Sequence, residues 1–188
     1  MSYALGDPEG RAPYIDGWTP TTSWIPSGSL GIEWTVWRMR RLVADAQRSP
    51  LLVETARRIV GDNPRAAGFR NSTEAAEHIR AFLEGGVRFE HDPAGTELLK
   101  PPDMMLEEIE LNGQAAGDCD DVAVLGAALG RAVGLPARFR LLAFRPGAPY
   151  EHVYTELLTD GGWRELDTTK PHQLPSGLRI VRTSTREA

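Results

Sequence analysis

The stretch Gly117-Asp118-Cys119-Asp120-Asp121-Val122-Ala123-Val124-Leu125-Gly126-Ala127-Ala128-Leu129-Gly130 carries the decision about the fold. Within and just beyond it, Val122, Leu125, Ala128, Leu129 and Val133 recur at steps of three and four, which is one apolar face of a helix. Gly134 and Pro136 supply the stop signal. Cys119 therefore falls at or just before a helix N-terminus, and one of its acidic neighbours is most simply read as the N-cap, a carboxylate turned onto backbone amides.

Downstream of Pro136 the period changes from that of a helix to that of strands. Phe139, Leu141 and Ala143 alternate with Arg138, Arg140 and Leu142. His152 to Leu158 and Trp163 to Thr169 are two further strand-like runs around Thr159-Asp160-Gly161-Gly162, a hairpin signal. Upstream the chain reads as helices. Ile32, Val36, Met39, Val43 and Ala46 mark the first, and Leu51 to Val60, closed by Gly61-Asp62-Asn63-Pro64, the second. A third starts at Asn71 as N-cap with Glu74 three residues on and stops at Gly85-Gly86; Met104 to Leu111 forms one more. Val87 to Pro93 and Pro101-Pro102 read as connecting structure. The expectation is an α+β domain over residues 31–188, N-terminal helices followed by a cysteine-bearing helix packed on an antiparallel sheet. Residues 1–30, with four prolines, Trp18 and Trp24 and no period, read as an irregular arm.

With 188 residues, the chain has the length of one domain with a real core, and 41% hydrophobic and 25% charged residues argue against wholesale disorder. A net charge of -5 speaks against nucleic acid as the main partner, and the cluster Arg38, Arg40 and Arg41 reads as a solvated helix face. No apolar run approaches the ~18 residues of a membrane span, and the start shows no basic-then-apolar signal, so a cytoplasmic protein with no membrane contact is expected. The single cysteine rules out an internal disulfide and a multi-cysteine zinc site. It is left as inert packing, an intermolecular link, or a nucleophile.

A nucleophilic cysteine must be a thiolate, and a free thiol with pKa about 8.5 is mostly protonated at neutral pH. The helix N-terminus helps, but Asp118, Asp120 and Asp121 oppose it, because like charge raises the thiol pKa. An imidazole that takes the proton would settle the matter. Of the four histidines His152 is best placed, opening a strand after Pro146-Gly147-Ala148-Pro149; His78, His91 and His172 read as surface residues. If Asp160-Gly161 is a two-residue turn, His152 faces Thr169 and Asp167 lies two positions along on the same face; a turn centred on Gly161-Gly162 keeps the same face but separates the pair further. Diagonal neighbours of this kind lie about 7–8 Å apart at the backbone, within side-chain reach. The oxyanion donors would be the Cys119 backbone amide and the Gln114 side chain. Against this stands the bland alternative, since lone cysteines are often buried and inert and His–Asp pairs on hairpins can be structural.

The segments Gly117-Asp118-Cys119-Asp120-Asp121-Val122-Ala123, His152-Val153-Tyr154 and Trp163-Arg164-Glu165-Leu166-Asp167-Thr168, in this order, resemble the transglutaminase-like superfamily of papain-like folds. The resemblance covers roughly residues 75–170. It implies that Cys119, His152 and Asp167 form a catalytic triad performing acyl transfer through a thioester on a peptide or protein substrate, as protease, amidase or transamidase, with no metal or organic cofactor. Tyr154 stands where the family often has tryptophan. Short chains with Gly-Asp-Cys-Asp-Asp are also similar to bacteriophage and prophage proteins. That likeness implies an alternative: a non-catalytic assembly protein, a component of a phage particle, docking on partners through residues 1–30 or adding the tail Gly177 to Arg182 to a partner's sheet. A metal site of His152, His172 and Asp167 is the weakest reading, for want of alternating ligands or a second cysteine, and the acidic run lacks the ligand alternation of a calcium loop.

Overall fold

The computed structural model of the chain describes residues 29–61, 72–92, 98–169 and 179–188. Five helices lead or interleave with six strands: α1 (Ser29–Ala46), α2 (Pro50–Val60), α3 (Ser72–Gly86), β1 (Val87–Phe89), α4 (Pro102–Asn112), β2 (Ala115–Gly117), α5 (Cys119–Ala132), β3 (Ala137–Ala143), β4 (His152–Thr159), β5 (Gly162–Leu166) and β6 (Arg182–Glu187). The arm with Trp18 and Trp24, the Asn71 cap and His172 lie outside the described residues. No described helix is long and apolar enough to cross a membrane.

The helices form where the apolar spacing places them. Val36, Met39, Val43 and Ala46 are the buried stripe of α1, which begins one turn before Ile32. At α2, the Ser49 hydroxyl accepts the Leu52 N–H at 3.3 Å and Pro50 occupies the first turn, where its missing N–H costs nothing. Helix α5 departs from the amphipathic pattern, for every residue from Asp120 to Gly130 is buried. It lies between α1–α4 on one side and β3 and β4 on the other.

Two contacts fix how α5 sits on the sheet. The Thr155 hydroxyl, on β4, donates to the Ala123 carbonyl at 2.6 Å. Two helical turns further on, Gly130 meets β4 so closely that a Cβ there would stand 2.3 Å from Leu157 Cδ2.

The main sheet runs β5-β4-β3-β6, all antiparallel. The β4–β5 register closes on Thr159↔Gly162 and continues to Thr155↔Leu166, so Asp160-Gly161 is the turn the sequence marks. The left-handed residue is Gly162, φ 96°, just after the turn. Strand β5 stops at Leu166, short of the expected Thr169.

Two segments correct the sequence reading. Residues 87–89, read as connecting structure, form β1 and pair in parallel with β2, Val87↔Ala115 to Phe89↔Gly117. Three-residue strands are too short to show alternation, and their partners lie far along the chain. The residues that follow the tail Gly177 to Arg182 add a strand to the chain's own sheet: β6 pairs with β3 from Arg138↔Glu187 to Ala143↔Arg182, and of the tail itself only Arg182 belongs to it. Its residues, Arg-Thr-Ser-Thr-Arg-Glu, carry no apolar alternation to announce it.

The Gly130–Leu157 contact generates a stability prediction. Gly130→Ala gains helix propensity but forces a methyl into a fully buried leucine, and overpacking costs about 1–3 kcal/mol. The variant should unfold at lower denaturant than wild type, and pairing it with Leu157→Ala should give a cost below the sum of the two single changes.

Candidate active site

Cys119 is the first residue of α5, and Asp118 is its N-cap. The Asp118 side chain accepts the N–H of Asp120 at 3.3 Å and that of Asp121, while Asp121 Oδ2 accepts the Asp118 N–H at 3.4 Å, a reciprocal capping box. With those amides satisfied, the Cys119 N–H remains the first-turn donor without an intrahelical acceptor. Asp121 Oδ1 also accepts the Lys100 N–H at 2.7 Å, which ties the segment before α4 to the helix mouth. Gly117 is required here. A Cβ on it would stand 2.9 Å from Asp121 Oδ2 and 3.0 Å from Asp121 Cβ.

His152 opens β4 and is 2% exposed. Its Nε2–H donates to Asp167 Oδ2 at 2.8 Å, and both side chains are sealed from solvent. The Thr169 hydroxyl donates to the other Asp167 oxygen at 3.4 Å. The Cys119 thiol lines the same cleft as this imidazole and lies near enough to raise its proton affinity. Asp167 follows the last ladder pair of β5, so the hairpin register delivers it beside the start of β4. The Tyr154 ring packs 6.0 Å from the imidazole.

Burial alone would pull the imidazole pKa down. The hydrogen bond to Asp167, the nearby Cys119 thiol and the charges of both outweigh it and raise His152 to about 10. The acids at the helix mouth move the other way from ordinary carboxylates. Burial raises Asp121 to about 7 despite the backbone N–H groups of Lys100 and Asp118, and raises Asp120 well above its usual range. Such an arrangement can hold a thiolate against an imidazolium, orient that ring with a buried carboxylate, and present a backbone amide to a developing oxyanion.

Cys119 and His152 line a cleft of about 510 Å³. Ile32, Thr35, Val36 and Met39 of α1 form one wall, and Phe144, Arg145, Tyr150 and Glu151 of the β3–β4 connection form another. Sequence reasoning missed both walls, because nothing in a helix's period says which face of it borders a cavity. His91, read as a surface loop residue, is exposed and also lines the cleft, its ring edge-on to Phe89 at 4.7 Å. Gln114 is elsewhere. Its side-chain amide donates to the Gly85 carbonyl at 3.1 Å, exposed and outside the cleft lining, so the expected side-chain oxyanion donor is occupied.

A family model described as the transglutaminase-like superfamily matches residues 56–168, more than half of the chain. Among solved structures, that of a "putative cysteine protease" from Cytophaga hutchinsonii is 26% identical, over 71% of this chain and 41% of that one, with a TM-score of 0.44. This chain thus spans less than half of that protein's length. No curated protein matches.

The shifted groups predict a pH dependence of stability. His152 is raised from 6.5 to about 10 in the fold, so its contribution is complete below pH 6.5 and lost as pH rises through about 10. Asp121 is raised from 3.8 to about 7, so its contribution is complete below pH 3.8 and lost as pH rises through about 7. The difference in Tm between wild type and His152→Asn should shrink by on the order of 5 °C from pH 6.5 to 10, and that between wild type and Asp121→Asn should shrink from pH 4 to 7.

Proposed function

The chain belongs to the transglutaminase-like superfamily, and from that premise we propose that it is a cysteine-dependent acyl-transfer enzyme acting on peptide or amide bonds. One observation carries this reading: the chain's single thiol and a buried His152–Asp167 pair, 2.8 Å apart, converge on one open cleft at a helix mouth. In the proposed reaction the Cys119 sulfur attacks the amide carbonyl carbon, and the oxyanion is met by the Cys119 N–H. The tetrahedral intermediate collapses as the His152 imidazolium gives its proton to the leaving amine, and the C–N bond breaks to leave a thioester. The now neutral imidazole takes a proton from an incoming water or amine, which attacks the thioester and releases the thiolate. Water gives a protease or amidase and an amine a transamidase.

Asp167 works through His152. It fixes the tautomer with the proton on Nε2, and it balances the imidazolium charge. The competing assembly-protein reading had two motives. One is the tail Gly177 to Arg182, of which only Arg182 is in a strand, β6, paired with β3 of the same chain; the other is the arm, which lies outside the described residues except for its last two.

Iodoacetamide at pH 6–7 should label Cys119 well above the rate of a model thiol, and His152→Asn should bring that rate down to the model's. Unaccelerated wild-type labelling would sink the reading. Once a peptide substrate is found, Cys119→Ala should abolish turnover, and Asp167→Asn should lower kcat by roughly 10²–10⁴ while leaving KM far less changed.

A further inference from the structure

The mouth of α5 gathers more acid than a thiolate should tolerate. One carboxyl oxygen each from Asp118, Asp120 and Asp121 lie within 4.8 Å of one another, and Cys119 sits among these residues in sequence and in the cleft. Their partners are unequal. Asp121 accepts two backbone N–H groups and Asp118 caps the helix. Asp120 is 3% exposed, its Oδ1 is buried with no hydrogen-bond partner among the described residues, and a carboxyl oxygen of it lies within 4.8 Å of one from Asp118.

Carboxyl groups this close can share a hydrogen bond only if one carries a proton, since ionised carboxylates accept and do not donate. An unpartnered buried oxygen is also far less costly as the carbonyl of a neutral acid than as part of an anion. Among the described residues, the charged surroundings offer no replacement for that proton. Lys100 touches Asp121 only through its backbone N–H, its ammonium being held by Glu108 and the Ala116 carbonyl. Asp92, after β1, adds negative charge to the cluster. From β4, His152 is committed to Asp167 and Cys119, and Arg145 is paired with Glu151 across the cleft wall. His91 borders the same cleft, and the α1 side chains that line it are uncharged.

We infer that Asp120 is a positioning residue held as a neutral carboxylic acid, its proton shared with Asp118, so that the Cys119 thiolate forms beside fewer negative charges than the sequence writes. This rests on the proposed role of Cys119. Burial first, then the bond to Asp118 and the charges of Asp118, Asp121 and Cys119, hold the Asp120 carboxyl well above the ordinary range. Asp120 thus acts on catalysis through the thiol without touching the reacting atoms.

The test uses the full chain, iodoacetamide and infrared spectroscopy. If Asp120 is neutral, Asp120→Asn replaces one uncharged donor by another, and the midpoint of the Cys119 alkylation–pH profile should stay within about 0.3 unit of wild type. If Asp120 is an anion, the same change removes a neighbouring negative charge and the midpoint should drop by about a unit, which overturns the inference. The infrared difference between wild type and Asp120→Asn at pH 7 should contain a protonated-carboxyl band; carboxylate bands in its place overturn it as well. A rise in wild-type Tm with calcium or magnesium chloride that Asp120→Asn abolishes would mean a cation in place of the proton, and also overturns it. Should the variant not fold, site-assigned carboxyl-¹³C aspartate NMR of the wild type at pH 7 decides, a neutral-acid resonance for Asp120 supporting the inference and an ionised Asp120 resonance overturning it. Wild-type Cys119 reacting no faster than a model thiol would defeat the acyl-transfer reading separately, with the infrared band still judging Asp120.

Discussion

Helix α5 has no face to spare for solvent along most of its length, and the rest of the fold is arranged around that burial. Four helices close over one side and two strands over the other. The Thr155–Ala123 hydrogen bond and the Gly130–Leu157 approach lock its position along β4. The first anchor lies one helical turn from Cys119 on α5 and three residues from His152 on β4. A shift of the helix along the strand would therefore separate sulfur from imidazole before it disturbed much else.

Low dielectric acts in two opposite senses within that small region. Burial works against the His152 imidazolium, but a sealed carboxylate and the adjacent thiol outweigh it. Burial works equally against the Asp120 and Asp121 anions, and there the partners are backbone amides and other acids, so desolvation wins. Cation and proton are thus placed by the same force, and the different outcomes come from which partners the fold supplies.

The superfamily match covers residues 56–168, whereas α1, which lines the cleft beside the thiol, and β6 lie outside it. The two are joined directly, since the Arg186 guanidinium of β6 pairs with Glu33 of α1 through two bonds, one from Nε at 3.4 Å. Arg182 of β6 stacks on Tyr150 at 4.6 Å and donates to the Ala148 carbonyl at 2.7 Å, bracing the connection that forms a cleft wall. The family likeness therefore speaks for the chemistry at the helix mouth, and the chain's own flanking elements shape what can reach it.

Periodicity in the sequence was enough to place the main helices and the β4–β5 hairpin, and to put His152 and Asp167 on one face under either turn it allowed, because these depend on contacts between residues close in the chain. The glycine before Asp118-Cys119 and the acid two after it already encoded the capped helix mouth. Long-range partners were not written locally: the parallel β1–β2 pair, the pairing of β6 with β3, the α1 wall of the cleft, and the diversion of Gln114 to Gly85. Nor could three aspartates around one cysteine reveal that Asp120 is buried with an oxygen unpartnered among the described residues. Local pattern sets the period and the turn, whereas burial and partnership are settled only when segments distant in sequence displace water from one another.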